Sequence, residues 1–179
     1  MLRFADDALL VFSREDDARR ILEVVPKRFA KYGLELHPEK TKLVKFFPRC
    51  GESFEFLGFT HVWSRSRRGK PYIKRKTARS RFTRSMQNLA AWCRRNRHRP
   101  VQDQHAALIL KFKGHYGYYG ITGNMEALER FYAAGRRVWR KWLDRRNRER
   151  RMNWETFKRL LKRYPLPRPR VVQSVYATT

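Results

Sequence analysis

Acidic residues are scarce in this chain: 16 Asp and Glu stand against 43 Lys and Arg among 179 residues, giving a formal charge of +27 and a pI near 11.2. The deficit is uneven. Residues 1–60 hold 11 Lys and Arg against 10 Asp and Glu, net +1, which leaves 32 against 6, net +26, for residues 61–179. A polycation of that density repels itself in any compact form, and a polyanionic partner relieves the repulsion. Nucleic acid is the partner expected first, ahead of an anionic membrane surface. Long apolar runs are missing too: none approaches the ~18 residues of a membrane span, and the N-terminus lacks the charged start and apolar stretch of a secretory signal. No membrane partner is expected. Cys50 and Cys93 are too few for a disulfide framework and lack the paired Cys/His spacing of a zinc site, so they read as reduced thiols in a cytoplasmic protein. His37, His61, His98, His105 and His115 are scattered and read as surface or phosphate-contacting side chains, not metal ligands. There is no internal repeat. With 41% hydrophobic and 14% aromatic residues, the length supports one substantial domain or two small ones.

What is present begins at Phe4-Ala5-Asp6-Asp7, two adjacent carboxylates between Met1-Leu2 and the apolar run Ala8-Leu9-Leu10-Val11-Phe12. A tight turn carrying two carboxylates can offer oxygen ligands to a hard cation such as Mg²⁺, which needs few protein carboxylates beside substrate phosphates. The tetrapeptide alone also reads as an ordinary hairpin turn, because Asp bonds to its own backbone there. Ser13, three residues before Asp16, resembles a capping box, and Ala18, Ile21, Leu22, Val25, Phe29 and Tyr32 then recur at helical spacing. The spacing predicts a helix from about Arg14 to Tyr32, ending at Gly33, with a kink or break at Pro26, whose missing donor costs about 3 kcal/mol. Leu34-Glu35-Leu36 alternates as a short strand, and Pro38 breaks it. Glu39-Lys40-Thr41-Lys42 leads into the apolar Leu43–Phe47, Pro48 to Ser53 forms a turn, and Phe54–Phe59 reads as a strand in which Gly58 allows a bulge or a close backbone approach.

The basic remainder opens with a hairpin or loop from Trp63 to Lys76 whose Arg65, Arg67, Arg68, Lys70 and Lys74 suit a phosphate backbone. Residues 78–97 read as a helix with Phe82, Met86 and Leu89 on one face, ended by Pro100. A second helix is expected from about Gln102 to Tyr118, running into Gly114-His115-Tyr116-Gly117-Tyr118-Tyr119-Gly120. Asn124 caps a third, along which Leu128, Phe131, Tyr132, Val138, Trp139 and Trp142 line an apolar face through about Arg146. Trp139 and Trp142 at that spacing read as core. Tyr116 and Tyr119 are open to two readings, core or a platform on which bases stack. Arg145, Arg146, Arg148, Arg150 and Arg151 form a dense run read as a phosphate contact. Asn153-Trp154-Glu155-Thr156-Phe157 starts a last short helix through Tyr164, and Pro165-Leu166-Pro167-Arg168-Pro169-Arg170 reads as a polyproline-like strut.

The ordered series Arg3-Phe4-Ala5-Asp6-Asp7, a helix, Gly33-Leu34-Glu35-Leu36-His37-Pro38-Glu39-Lys40-Thr41-Lys42 and Phe56-Leu57-Gly58-Phe59 resembles the C-terminal part of a group II intron reverse transcriptase and maturase. The resemblance implies an α+β fold: a partial palm of hairpin, helix and hairpin at residues 1–76, a helical thumb and maturase-specific region at 77–152, and a short helix with a Pro/Arg-rich tail at 153–179. It implies RNA-directed DNA synthesis with intron RNA binding that assists splicing and retrohoming. Asp6 and Asp7 would be the catalytic, Mg²⁺-binding carboxylates, Asp6 coordinating directly and Asp7 more weakly or in support. Lys42, or Lys40 in its place, would protonate the pyrophosphate leaving group, unless both are solvated loop charges. Gly58 would admit a primer phosphate, and Tyr116, Tyr119, Arg145, Arg146 and Arg148 would meet RNA.

Implied partners are group II intron RNA, an RNA template with a DNA primer, and a fragment carrying the fingers and N-terminal palm, in a cytoplasmic nucleoid or ribonucleoprotein setting. The chain departs from the family pattern at Phe4, where tyrosine is usual, keeping the ring and losing one hydroxyl. Gly114 through Tyr119 resembles the family's Gly-Trp-rich signature with His115 in place of Trp. Nothing resembles the zinc-bearing endonuclease of some members. Because the sequence starts three residues before the carboxylate box, the resemblance leaves a further palm aspartate and the fingers unaccounted for, so the expectation is that this chain alone does not polymerise, and the alternative reading is a non-catalytic basic RNA-binding module or an inactive remnant.

Overall fold

The computed structural model of the chain describes residues 1–146 and 151–174, in two compact units, Met1–Lys74 and Arg75–Thr179. In the first unit, β1 (Leu2–Phe4) and β2 (Asp7–Leu9) pair antiparallel, with Leu2 opposite Leu9 and Phe4 opposite Asp7. The helix α1 follows over Glu15–Ala30. Ser13 does not cap it: the N-cap is Arg14, without a side-chain bond, and Glu15, Asp16 and Asp17 instead place negative charge against the positive end of the helix dipole. The expected break at Pro26 is absent, and the helix runs through it to Ala30. Its stop is a Schellman motif, in which Leu34 N–H donates to Phe29 O at 3.0 Å and Gly33 N–H to Ala30 O at 3.1 Å while Gly33 takes φ +67°.

Leu34–Leu36, expected as a strand, is irregular, as is Leu43–Phe46. The expected Phe54–Phe59 strand is instead the tip of a hairpin. Strand β3 (Ser53–Phe56) turns through Leu57 and Gly58, at φ +49° and +77°, into β4 (Phe59–Arg65), with Phe56 opposite Phe59. Positive φ at both central residues is what a two-residue type I′ hairpin turn requires, and Gly58 supplies the second at no steric cost. Strand β5 (Pro71–Thr77) completes the order β3-β4-β5. Phe46 packs edge-on against Phe54 at 4.8 Å and tilted against Trp63 at 5.5 Å, and Phe54 stacks on His61 at 4.8 Å.

The second unit is built on α2 (Arg79–Arg95), α3 (Val101–Tyr119), α4 (Met125–Asp144) and α5 (Trp154–Arg163). Leu89 and Cys93 of α2, Leu108, Phe112 and Tyr116 of α3, and Leu128, Phe131, Trp139 and Leu143 of α4 close one core, which Phe157 of α5 and Leu166 of the segment beyond it also enter. Burial pushes the Cys93 thiol up to about 12. Gly135 lets α4 approach its neighbours, since a Cβ there would stand 2.5 Å from the Phe112 ring and 3.2 Å from Leu89. Trp139, wholly buried, donates its indole N–H to Gln104 Oε1 at 3.1 Å, and Gln104 in turn donates to the carbonyls of Arg97 and Arg99.

Asn124 does not cap α4 with its side chain. It accepts from Thr77 N–H at 2.9 Å and donates to Thr77 Oγ1 and Tyr119 O, joining the end of β5 to the α3–α4 turn. Asn153 does cap α5, accepting from Thr156 N–H at 2.8 Å. The proline segment lies along α3 as an extended strap: Tyr116 Oη donates to Pro167 O at 3.1 Å, and Val172 and Gln173 N–H donate to Gly120 O. Among the described residues no helix is long and apolar enough to cross a membrane.

Candidate nucleic-acid interface and carboxylate turn

Asp6 and Asp7 lie where β1 turns into β2. Ala5 and Asp6 are the two turn residues, Asp7 is the first residue of β2, and both carboxylates are exposed. Ala5 adopts φ +49°, a left-handed conformation that costs a residue with a Cβ about 1 kcal/mol or more, and Arg3 Nε braces the turn by donating to Ala5 O at 3.1 Å. The geometry thus presents two adjacent hard oxygen donors to solvent on a tight, strained turn. It does not complete a metal centre: among the described residues no group of three or more His, Cys, Asp or Glu is placed to hold a metal ion. The donor chemistry suits Mg²⁺, but the donor number does not, so no chemical step through a metal is assigned to this chain by itself.

Lys40 and Lys42 are exposed in the irregular stretch between α1 and β3, and among the described residues neither forms an ion pair with Asp6 or Asp7. The lysine that is engaged there is Lys45, whose Nζ stands 3.0 Å from Glu15 Oε2. Lys45 and then Arg19 hold the Glu15 carboxyl below the usual range. Gly58 is half-buried in its turn. Arg65 ends β4, and Arg67, Arg68 and Lys70 project from a loop closed by Ser66, whose N–H donates to Lys70 O at 2.8 Å and whose Oγ accepts from Lys70 N–H at 3.1 Å. Arg65, Arg67, Arg68 and Lys70 are exposed, and Lys74 is half-buried.

In the second unit, Arg145 and Arg146 follow α4 and are both exposed. The Arg145 guanidinium lies 5.2 Å from the Trp142 ring centre, with Lys141 at 5.8 Å and Arg94 at 6.0 Å, and Arg146 donates to Arg99 O. Trp142, expected in the core, is half-buried and forms the floor of this cationic cluster, an arrangement periodicity could not reveal because Arg94 comes from α2. Arg148 lies outside the described residues, as does Arg150.

Of the two tyrosines left open, Tyr116 is corrected to core. It is 2% exposed, its hydroxyl is committed to Pro167, and burial raises its pKa, so its ring cannot meet a base. Tyr119 is half-buried, and burial raises its pKa as well. His115 stacks on Phe131 with ring centres 3.7 Å apart and is held down to about 4 by burial, so it is neutral at pH 7 and not a phosphate contact. Sequence reasoning passed over Lys113, Arg168 and Arg170, which the strap brings together on one side of α3.

No curated protein and no solved structure matches this chain. Residues 1–61, a stretch that spans the carboxylate turn, α1, β3 and the hairpin turn at Gly58, match the family model for reverse transcriptase (RNA-dependent DNA polymerase).

Proposed function

We propose that this chain is part of a group II intron type RNA-directed DNA polymerase and maturase, in which residues 1–76 form the end of the palm and the helical unit serves as a thumb that binds intron RNA, assisting splicing and retrohoming. The observation that carries the reading is the exposed Asp6-Asp7 turn inside the stretch that matches the reverse transcriptase model. Reverse transcriptase domains generally use Mg²⁺ and bind nucleic acid. In the complete polymerase Asp6 and Asp7 would ligate that ion, Lys42 or Lys40 would lie near the leaving group, and Gly58 would lie against the primer. Arg65, Arg67, Arg68, Lys70, Lys74, Tyr119, Arg145, Arg146 and Arg148 would contact the template, primer or intron RNA. A third metal ligand and the nucleotide pocket would come from a fragment carrying the fingers and N-terminal palm, and the assembly would work in a cytoplasmic ribonucleoprotein.

A second reading, a non-catalytic RNA-binding module, is favoured by one observation: the two aspartates have no third ligand among the described residues. Primer extension on an RNA template with Mg²⁺, using the 179-residue chain beside its Asp6→Ala/Asp7→Ala variant, separates the readings when RNA affinity is measured in parallel. The expected result is no extension by either protein and equal RNA binding by both. Arg145→Gln/Arg146→Gln should weaken binding and flatten the dependence of log affinity on log salt by about 1.4, two phosphate contacts at roughly 0.7 each. Extension that disappears in the aspartate variant would mean that groups of this chain, or of a second copy, complete the site. RNA affinity indifferent to salt and to the arginines would overturn the RNA-binding assignment.

A further inference from the structure

The C-terminal strap and α3 enclose a cleft of about 470 Å³ lined by Lys113, Tyr116, Gly117, Pro167, Arg168, Arg170 and Val172. Its walls are apolar, formed by Pro167, Val172 and the buried Tyr116, while Lys113, Arg168 and Arg170 are exposed cations and, among the described residues, no acidic side chain lines it. The strap is fixed on both sides of the cleft. Tyr116 donates to Pro167 O, and Val172 and Gln173 N–H donate to Gly120 O while Gln173 Nε2 donates to Gly117 O at 3.2 Å. Three like charges along one cleft repel one another, and among the described residues nothing in the lining compensates them.

The helix floor adds a second observation. Glycine inside a helix is destabilising relative to alanine, and such a position normally has a packing reason. Two other glycines of this unit are held by close contacts: a Cβ at Gly135 of α4 would strike Phe112 in the core, and a Cβ at Gly120, just past α3, would strike Tyr116 O and stand 2.9 Å from Arg170 O. Gly114 and Gly117 have none, since a Cβ at either would meet nothing within 4 Å. At Gly117 the fold therefore leaves the helix backbone bare at the floor of a cleft rimmed by cations.

We propose that this cleft, formed by Lys113, Gly117, Arg168 and Arg170, binds the sugar–phosphate backbone of a single RNA strand, the cations meeting successive phosphates and Gly117 allowing the ribose to approach the helix. This rests on the RNA-binding reading above, and it places a strand on a surface separate from Arg145 and Arg146. Neutral apolar walls with cations only at the rim suit a chain of alternating sugars and phosphates.

The test is fluorescence anisotropy of a labelled single-stranded RNA oligonucleotide with the 179-residue chain across a salt series. Lys113→Gln/Arg168→Gln/Arg170→Gln should lose tenfold or more in affinity at low salt and flatten the log–log salt slope by about 2, three contacts at roughly 0.7 each. Gly117→Leu, which changes no charge, should weaken binding severalfold, while Gly117→Ala raises Tm because nothing in the fold requires glycine there. Melting curves of all variants establish that they are folded.

Wild-type RNA binding with an unchanged slope in the triple variant, while Arg145→Gln/Arg146→Gln still flattens it, would overturn the cleft and leave the RNA-binding reading standing. Loss of RNA binding by the wild-type chain would overturn both. Adenosine monophosphate that displaces the oligonucleotide at concentrations equal to its own would assign the cleft to a free nucleotide and overturn the strand.

Discussion

His115 carries an imidazole that burial holds down to about 4, stacked on Phe131 with its Nε2 enclosed and, among the described residues, without a hydrogen-bond partner. The polar groups lining the same cleft are Lys111 and Tyr119 on its own helix α3 and the uncharged Ser85 and Asn88 on α2. A base whose folded pKa lies below its unfolded value of 6.5 contributes stability that is complete above about pH 6.5 and is lost as pH falls toward 4, because only the unfolded chain takes up the proton in that window. The full loss is up to about 3 kcal/mol at 1.36 kcal/mol per unit. His115→Phe should retain the stack and remove this part of the pH dependence. Thermal unfolding of the two proteins at pH 7 and pH 4.5 checks it: the difference in Tm between the pH values should be smaller in the variant, and equal differences would mean that His115 is protonated in the folded state. Gln104 offers a second single-residue case. Gln104→Leu would leave the buried Trp139 indole N–H without its acceptor and take a donor from the Arg97 and Arg99 carbonyls, at a cost of about 1–3 kcal/mol, read as a lower urea midpoint at constant m-value.

Helix α4 approaches α2 and α3 at the one point where it has no side chain. Gly135→Ala would drive a methyl into the Phe112 ring and against Leu89, and a packed core yields to such an intrusion at about 1–3 kcal/mol. The same substitution at Gly117, where there is open space, should stabilise by up to about 1 kcal/mol, so the pair tests the packing against the intrinsic helix preference by the sign of the change in denaturation midpoint. Sequence periodicity foresaw α2 and α4 because each turns apolar residues at helical spacing toward the core, and it placed Trp139 there for that reason. It missed where strands fail to form. Leu34–Leu36 alternates well, but a strand exists only when another strand accepts its hydrogen bonds, and among the described residues it pairs with none. Pro26 misled in the opposite direction, since α1 keeps its course through the proline and stops only at the Gly33 motif. The adjacent carboxylates were legible because their neighbours in sequence are also their neighbours in space. The Arg94–Trp142–Arg145 cluster and the strap cleft join residues far apart in sequence, and no local pattern announces them.

Hydrophobic burial is distributed very unequally over the whole molecule. Among the described residues of the first unit only Ala18 is buried, whereas every other buried apolar residue, from Ala78 to Leu166, belongs to the second. Burial of apolar surface is the dominant favourable term in folding, so the free energy of opening should follow the same division. The two-stranded β1–β2 sheet, exposed along almost every residue, is of the kind that is marginal in water without further cover. Native-state hydrogen exchange should therefore find the slowest amides in α2, α3 and α4, around Phe112, Leu128 and Trp139, opening only with global unfolding, while β1, β2 and α1 exchange through local openings of far lower free energy. Charge sharpens the test, because residues 61–179 carry net +26 and their mutual repulsion is screened by salt while that of the nearly neutral first 60 is not. Raising NaCl from about 0.05 to 0.5 M should slow exchange in α2–α4 and leave the rates in β1–β2 nearly unchanged. Uniform protection across both units, or equal slowing by salt throughout, would show that the first unit draws its stability from contacts other than its own apolar burial.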